Sequence, residues 1–152
     1  MRKSIILLLA ILSLMGCGDS GSSSSSDTKK VNEVIDAYIN VFVDKEEEIF
    51  DKIISPAPDI VVYSFGKQTL KGLKGIKKGI AKSIEKVEDS DLDTRERNVT
   101  VDGENAWFSL KADWNYNWDT QRIEVKGLRM TGVLKKIDGD WKIVQWHTSV
   151  PQ

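Results

Sequence analysis

Apolar residues recur every three or four positions between residues 31 and 42. Val31, Val34, Ile35, Tyr38, Ile39 and Phe42 share one helical face, and Ser26 or Asp27 stands where a helix cap belongs. Asp44 is placed to cap a second, short helix with Ile49, Phe50, Ile53 and Ile54 inward. Glu46, Glu47 and Glu48 in its first turn match the helix dipole. Pro56 and Pro58 end it, because proline neither donates a backbone hydrogen bond nor continues a helix. A strand over 60–65, a turn at Gly66-Lys67 and a strand over 68–70 follow. The helical period then returns after Gly72 with Leu73, Ile76, Ile80, Ile84 and Val87 inward and lysines at 71, 74, 77, 78, 82 and 86 outward. From residue 91 the period drops to two. Strands are predicted over 95–101, 105–118, 122–137 and 140–150, separated by turns that include Asp102-Gly103 and Asp138-Gly139. Helices first and a long meander afterwards predict an α+β fold, with three N-terminal helices packed on one face of a curved antiparallel sheet.

The first 27 residues follow none of these patterns. Arg2 and Lys3 precede an apolar run from Ile5 to Leu14 that is too short to span a bilayer, which reads as a secretory signal over 1–16. The adjoining Leu14-Met15-Gly16-Cys17 resembles the lipobox of bacterial lipoproteins. That resemblance implies cleavage before Cys17, acyl chains on it, and export to the cell envelope as a lipid-anchored protein. Where the envelope has two membranes, Gly18 after the cysteine favours the outer one. Cys17 is the single cysteine, so no disulfide within the chain competes for it. The serine run from Ser22 to Ser26 predicts a polar, flexible tether over 17–27, ahead of a domain over 28–152. A formal net charge of −1 leaves no basic stripe for nucleic acid. One histidine and scattered acids offer no metal-ligand spacing, and no cofactor is implied.

The closing stretch Trp141-Lys142-Ile143-Val144-Gln145-Trp146-His147-Thr148-Ser149-Val150-Pro151, after the order of elements above, resembles the SnoaL-like domains of the NTF2-like superfamily. It is also similar to the end of the association domain of calcium/calmodulin-dependent kinases. Tyr38, the Asp102-Gly103 turn, Ala106 and Thr131 fall where relatives place similar residues. The resemblance covers the chain after the tether and implies a conical sheet whose concave face, with the helices, encloses a pocket. Such folds serve enzymes, binders and oligomerisation modules alike.

Strand side chains alternate between faces. In 105–118 the even residues Ala106, Phe108, Leu110, Ala112, Trp114, Tyr116 and Trp118 are the apolar set, so the even face is predicted to meet the helices. The kinase-domain resemblance puts positions 112, 132 and 148 on that side too. The parity of 122–137 switches after Val125, and Gly127 is read as the bulge that switches it. The pocket is then expected to present Tyr38, Phe42, Phe108, Leu110, Trp114, Met130, Trp146 and Thr148. His147 falls on the outer face with Arg129 and Ser149, a face that the resemblance pairs with a second copy, giving a homodimer. The steroid isomerases of the superfamily use a helix tyrosine, a carboxylate base and a sheet acid. Tyr38 matches the tyrosine, but Ser64 stands at the base position and Arg129 close to the acid, and a hydroxyl of ordinary pKa cannot replace a carboxylate base. The leading expectation is a membrane-anchored binder of a small apolar or amphipathic molecule, without catalysis. Two alternatives stay open. One is an isomerase, dehydratase or hydrolase using Tyr38, Asp113, Arg129 and His147; the other is an interaction module whose outer face, around Trp107, Trp141, Arg129 and His147, binds a protein.

Overall fold

The computed structural model describes residues 20–64 and 68–151, with side chains from Ser25 onward. The predicted signal sequence, Cys17 and the Gly66-Lys67 turn lie outside these residues. Helix α1 runs Ser20–Asp44, so it takes in residues 20–27 that composition assigned to the tether. Neither Ser26 nor Asp27 caps it. The Asp27 carboxylate instead accepts hydrogen bonds from Lys136 Nζ at 2.9 and 3.0 Å and from Trp141 Nε1 at 3.1 Å. The Lys136 bond, followed by that from Trp141, lowers its pKa. Asp44 likewise ends α1 rather than capping a second helix. Lys45 adopts a left-handed φ of 62° and its N–H donates to the Val41 carbonyl, the usual geometry of a helix stop, with lysine where glycine is commoner. The second helix is one 3-10 turn, Glu47–Ile49, followed by α2, Phe50–Ile53.

Strands β1 (Val61–Tyr63) and β2 (Thr69–Lys71) precede α3 (Gly72–Ile84), and β3 (Val87–Asp102), β4 (Asn105–Trp118), β5 (Gln121–Ile137) and β6 (Asp140–Ser149) complete the described chain. The sheet order is β2-β1-β6-β5-β4-β3. Every neighbouring pair is antiparallel except β1 with β6, which run parallel because α3 and the whole meander separate them. The fold is the predicted one, α+β with three helices against a curved sheet.

Val87 begins β3 and does not end α3, and β3 starts eight residues before the predicted strand. The sequence hides this half because β3 is an edge strand with few apolar residues to alternate. Its register also shifts twice, between Glu88 and Asp91 and between Arg95 and Asn98, with left-handed φ at Asp89 and Glu96. Such bulges and charges blunt an edge that would otherwise template pairing with other chains.

Two more bulges bend the sheet. Opposite the β4 interval from Ala112 to Trp114, β5 advances three residues, from Leu128 to Val125. Gly127, with φ of 68°, sits in that extra turn, as its place in the sequence predicts. In β6, Val144 is the extra residue between Ile143, which pairs with Leu134, and Gln145, which pairs with Val133. This second bulge explains why β6 has no consistent parity. Trp141 and Ile143 are buried ahead of it, and Trp146 is buried after it. Trp141 therefore belongs to the core and not to the outer face where strict alternation placed it.

The core lies between α1, α3 and the concave face. All six even residues from Ala106 to Tyr116 are buried in it, with Val31, Ile35, Tyr38 and Ile39 of α1 and Ile76, Ile80 and Ile84 of α3.

Candidate ligand cavity

Between α1, α3 and the concave sheet lies a cavity of about 290 Å³, at the lower end of the range for small-molecule sites. Helix α1 contributes Tyr38 and Phe42, one turn apart on its inward face. Strand β4 contributes Trp114, Tyr116 and Trp118, successive residues of one face, and β5 and β6 add Met130, Trp146 and Thr148. Helix α3 approaches with Gly79 and Ser83, while Ser64 and Gln68 flank the β1–β2 connection. Six of the eight residues expected at the pocket line this cavity. Phe108 and Leu110 do not. Phe108 packs against Trp146, with ring centroids 4.7 Å apart, and its ring fills the space beside Gly132. Parity identifies the face a strand residue occupies but not its depth, and the narrow end of the cone is packed shut.

Six rings form a continuous wall. Trp146 stacks on Tyr38 at 4.0 Å, Tyr38 meets Phe42 at 6.2 Å, and Phe42 meets Trp114 at 5.4 Å. Trp114 lies 4.1 Å from Tyr116, which lies 6.5 Å from Trp118. Buried indoles need partners. Trp146 Nε1 donates to Thr148 Oγ1 at 3.0 Å, and Trp114 Nε1 donates to Ser90 Oγ at 2.8 Å. Because Thr148 Oγ1 accepts from the indole, its own O–H is left to donate. Burial raises the pKa of the Tyr38 hydroxyl, and that of Tyr116 as well, so both stay protonated donors at neutral pH. Among the described residues, the wall contains no carboxylate, imidazole, thiol or amine.

The structure does not bring Tyr38, Asp113, Arg129 and His147 together. Tyr38 is inside; the other three are on the outer face. His147 is exposed and meets Tyr63 edge-on at 6.0 Å. Arg129 is exposed, paired across the sheet with Lys111 and Ser149, and its neighbours Leu128 and Met130 point inward in its place. Asp113 clasps the β5 bulge. It accepts from the Gly127 N–H at 2.8 Å and from Arg95 at 2.8 and 2.7 Å. Those bonds, Arg95 first, lower its pKa to about 2, which leaves it too weak a base for proton abstraction. A depressed carboxylate pKa stabilises the fold above the unfolded value, and that stability is lost as pH falls toward the folded one. Asp113→Asn is therefore expected to flatten the fall in Tm between about pH 4 and pH 2, as read by thermal melts across that range. An unchanged acid limb contradicts the clasp. Tyr116, Trp118, Ser64, Gln68 and Ser83 were not in the expected pocket set. Tyr116 and Trp118 were legible from β4 parity, but the others depend on how α3 and the β1–β2 connection close the mouth.

Helices packed on the concave face of a bulged sheet, around an aromatic cavity, define an NTF2-like α+β domain. The chain belongs to the SnoaL-like domain family, whose model matches residues 31–152. No curated protein matches the sequence. Among solved structures, a candidate dehydratase of the NTF2-like family from Streptomyces avermitilis is similar at a TM-score of 0.75 and 15% identity, over 84% of this chain and 98% of its own. An NTF2-like superfamily protein from Salmonella enterica serovar Typhimurium is similar at a TM-score of 0.75 and 17% identity, over 84% and 93%. A candidate calcium/calmodulin-dependent protein kinase II association domain from Xanthomonas campestris follows at 0.66 and 18%, over 81% and 86%. At these identities the likeness conveys the fold alone.

Proposed function

We propose that this chain is an exported bacterial lipoprotein, held on the membrane through acylated Cys17, whose SnoaL-like domain binds a small apolar or amphipathic molecule without transforming it. The observation that carries the reading is the cavity of about 290 Å³ with six aromatic rings and no charged group in its described wall. Aromatic surface of that extent favours apolar or ring-bearing ligands, and a few hydroxyl donors orient them. The dehydratase description of the Streptomyces neighbour implies proton transfer, which needs a base of suitable pKa at the reacting carbon. Among the described residues, the wall supplies only hydroxyls, an amide and indoles for that role. In an envelope with two membranes the anchor lies in the outer one. The exposed outer face, where Tyr63 beside His147 keeps 46% of its surface in solvent and Trp107 on β4 keeps 48%, pairs with a second copy.

Native mass spectrometry of the full chain, extracted from bacterial membranes in mild detergent, tests all parts at once. The expected spectrum shows a dimer, acyl mass on Cys17 that is lost in Cys17→Ala, and a retained apolar small molecule released on unfolding. An unacylated, ligand-free monomer sinks the proposal.

A further inference from the structure

The aromatic wall has two unlike ends. At the closed end, Trp146 and Tyr38 are buried against Phe108 and Phe50. At the other end, Trp118 is only partly covered, and the exposed Lys86 places its ammonium 5.6 Å from the centre of that ring. Lys86 forms no ion pair with any described carboxylate, whereas Lys77, Lys111 and Lys136 each hold one within 3 Å. Among the described residues, the interior therefore offers rings and hydroxyls, and Lys86 sets a positive charge without an ion-pair partner on the outermost ring.

We infer that the cavity selects an elongated apolar molecule carrying a single terminal carboxylate, its body along the Trp146-to-Trp118 wall and its head group at Lys86. A charge at the opposite end of the ligand would be carried into an uncharged, aromatic interior, where desolvation disfavours it. A carboxylate at this end gives the exposed Lys86 ammonium an ion pair that a neutral head does not offer. The inference rests on the binding reading above and adds the ligand's polarity and orientation to it.

The test compares 6-phenylhexanoate with its uncharged counterpart 6-phenylhexanamide, titrated against the full chain in nanodiscs of zwitterionic lipid and read by tryptophan fluorescence. The carboxylate is expected to bind about threefold tighter than the amide, the scale of an exposed ion pair, and the preference should shrink as salt rises. Lys86→Gln is expected to bring the ratio to about one; Lys86 is exposed, so the fold survives the change. Lys78→Gln, an equal loss of charge on the exposed side of α3, should keep the wild-type ratio. Equal binding of acid and amide to the wild type, or a preference that survives Lys86→Gln or vanishes in Lys78→Gln, overturns the head-group assignment and leaves the binding cavity standing. Binding of neither molecule overturns both.

Discussion

Trp146→Ala is expected to lower the unfolding free energy by about 4 kcal/mol, within the span for large aromatic truncations in a packed core. Trp146 is 1% exposed. It stacks on Tyr38, packs on Phe108 and satisfies its own N–H with Thr148. Its removal leaves a void at the closed end that neither the α1 backbone nor the sheet can collapse to fill. It also releases Thr148 to turn away and deprives Tyr38 of its stacking partner, so ligand affinity should fall with stability. Urea denaturation followed by far-ultraviolet circular dichroism measures the first effect independently of indole fluorescence. A loss below about 1 kcal/mol would mean that the site relaxes or fills with water, contrary to the close packing described.

Gly132→Val is expected to cost about 3 kcal/mol, at the upper end for overpacking. A Cβ at this position would stand 2.5 Å from Phe108 Cε1 and 2.8 Å from the Gln145 carbonyl oxygen. The ring has little room to retreat because Trp146 lies on its other side, and the carbonyl belongs to the neighbouring strand. Gly132→Ala should already destabilise measurably, and adding Phe108→Leu should recover part of the loss but not all, since the backbone contact remains. Additive effects in that double-mutant cycle, measured by the same denaturation, would contradict a shared clash. Gly132 is required by close approach of its neighbours and not by a left-handed φ, so its composition alone does not distinguish it from a turn glycine.

The contrast between the two sheet bulges shows where sequence reading succeeds. Gly127 coincides with a visible change of parity, Val125 before it and Leu128 and Met130 after, so the bulge is legible from the residues alone. Val144 marks its bulge with an ordinary β-branched side chain between Ile143 and Gln145, and only the register with β5 exposes it. That single extra residue moved Trp141 from the face predicted for it into the core. The concave face itself was readable because β4 alternates strictly over its length. Which part of that face is open was not, because depth depends on how Phe108, Gly132 and Trp146 fill the taper. The Asp27–Lys136 pair joins positions 109 apart in the chain, a separation over which local pattern carries no information.

That same pair determines how the domain takes a load. A pull that passes the first two turns of α1 reaches the β5–β6 hairpin through Asp27, where both Lys136 and the Trp141 indole hold the carboxylate. Force entering there must slide the helix along the sheet and break several contacts together, whereas force at a free helix tip would peel one turn at a time. The cavity wall at Tyr38 and Phe42 begins three turns beyond the grip, so a pull borne at Asp27 leaves the cavity walls in register.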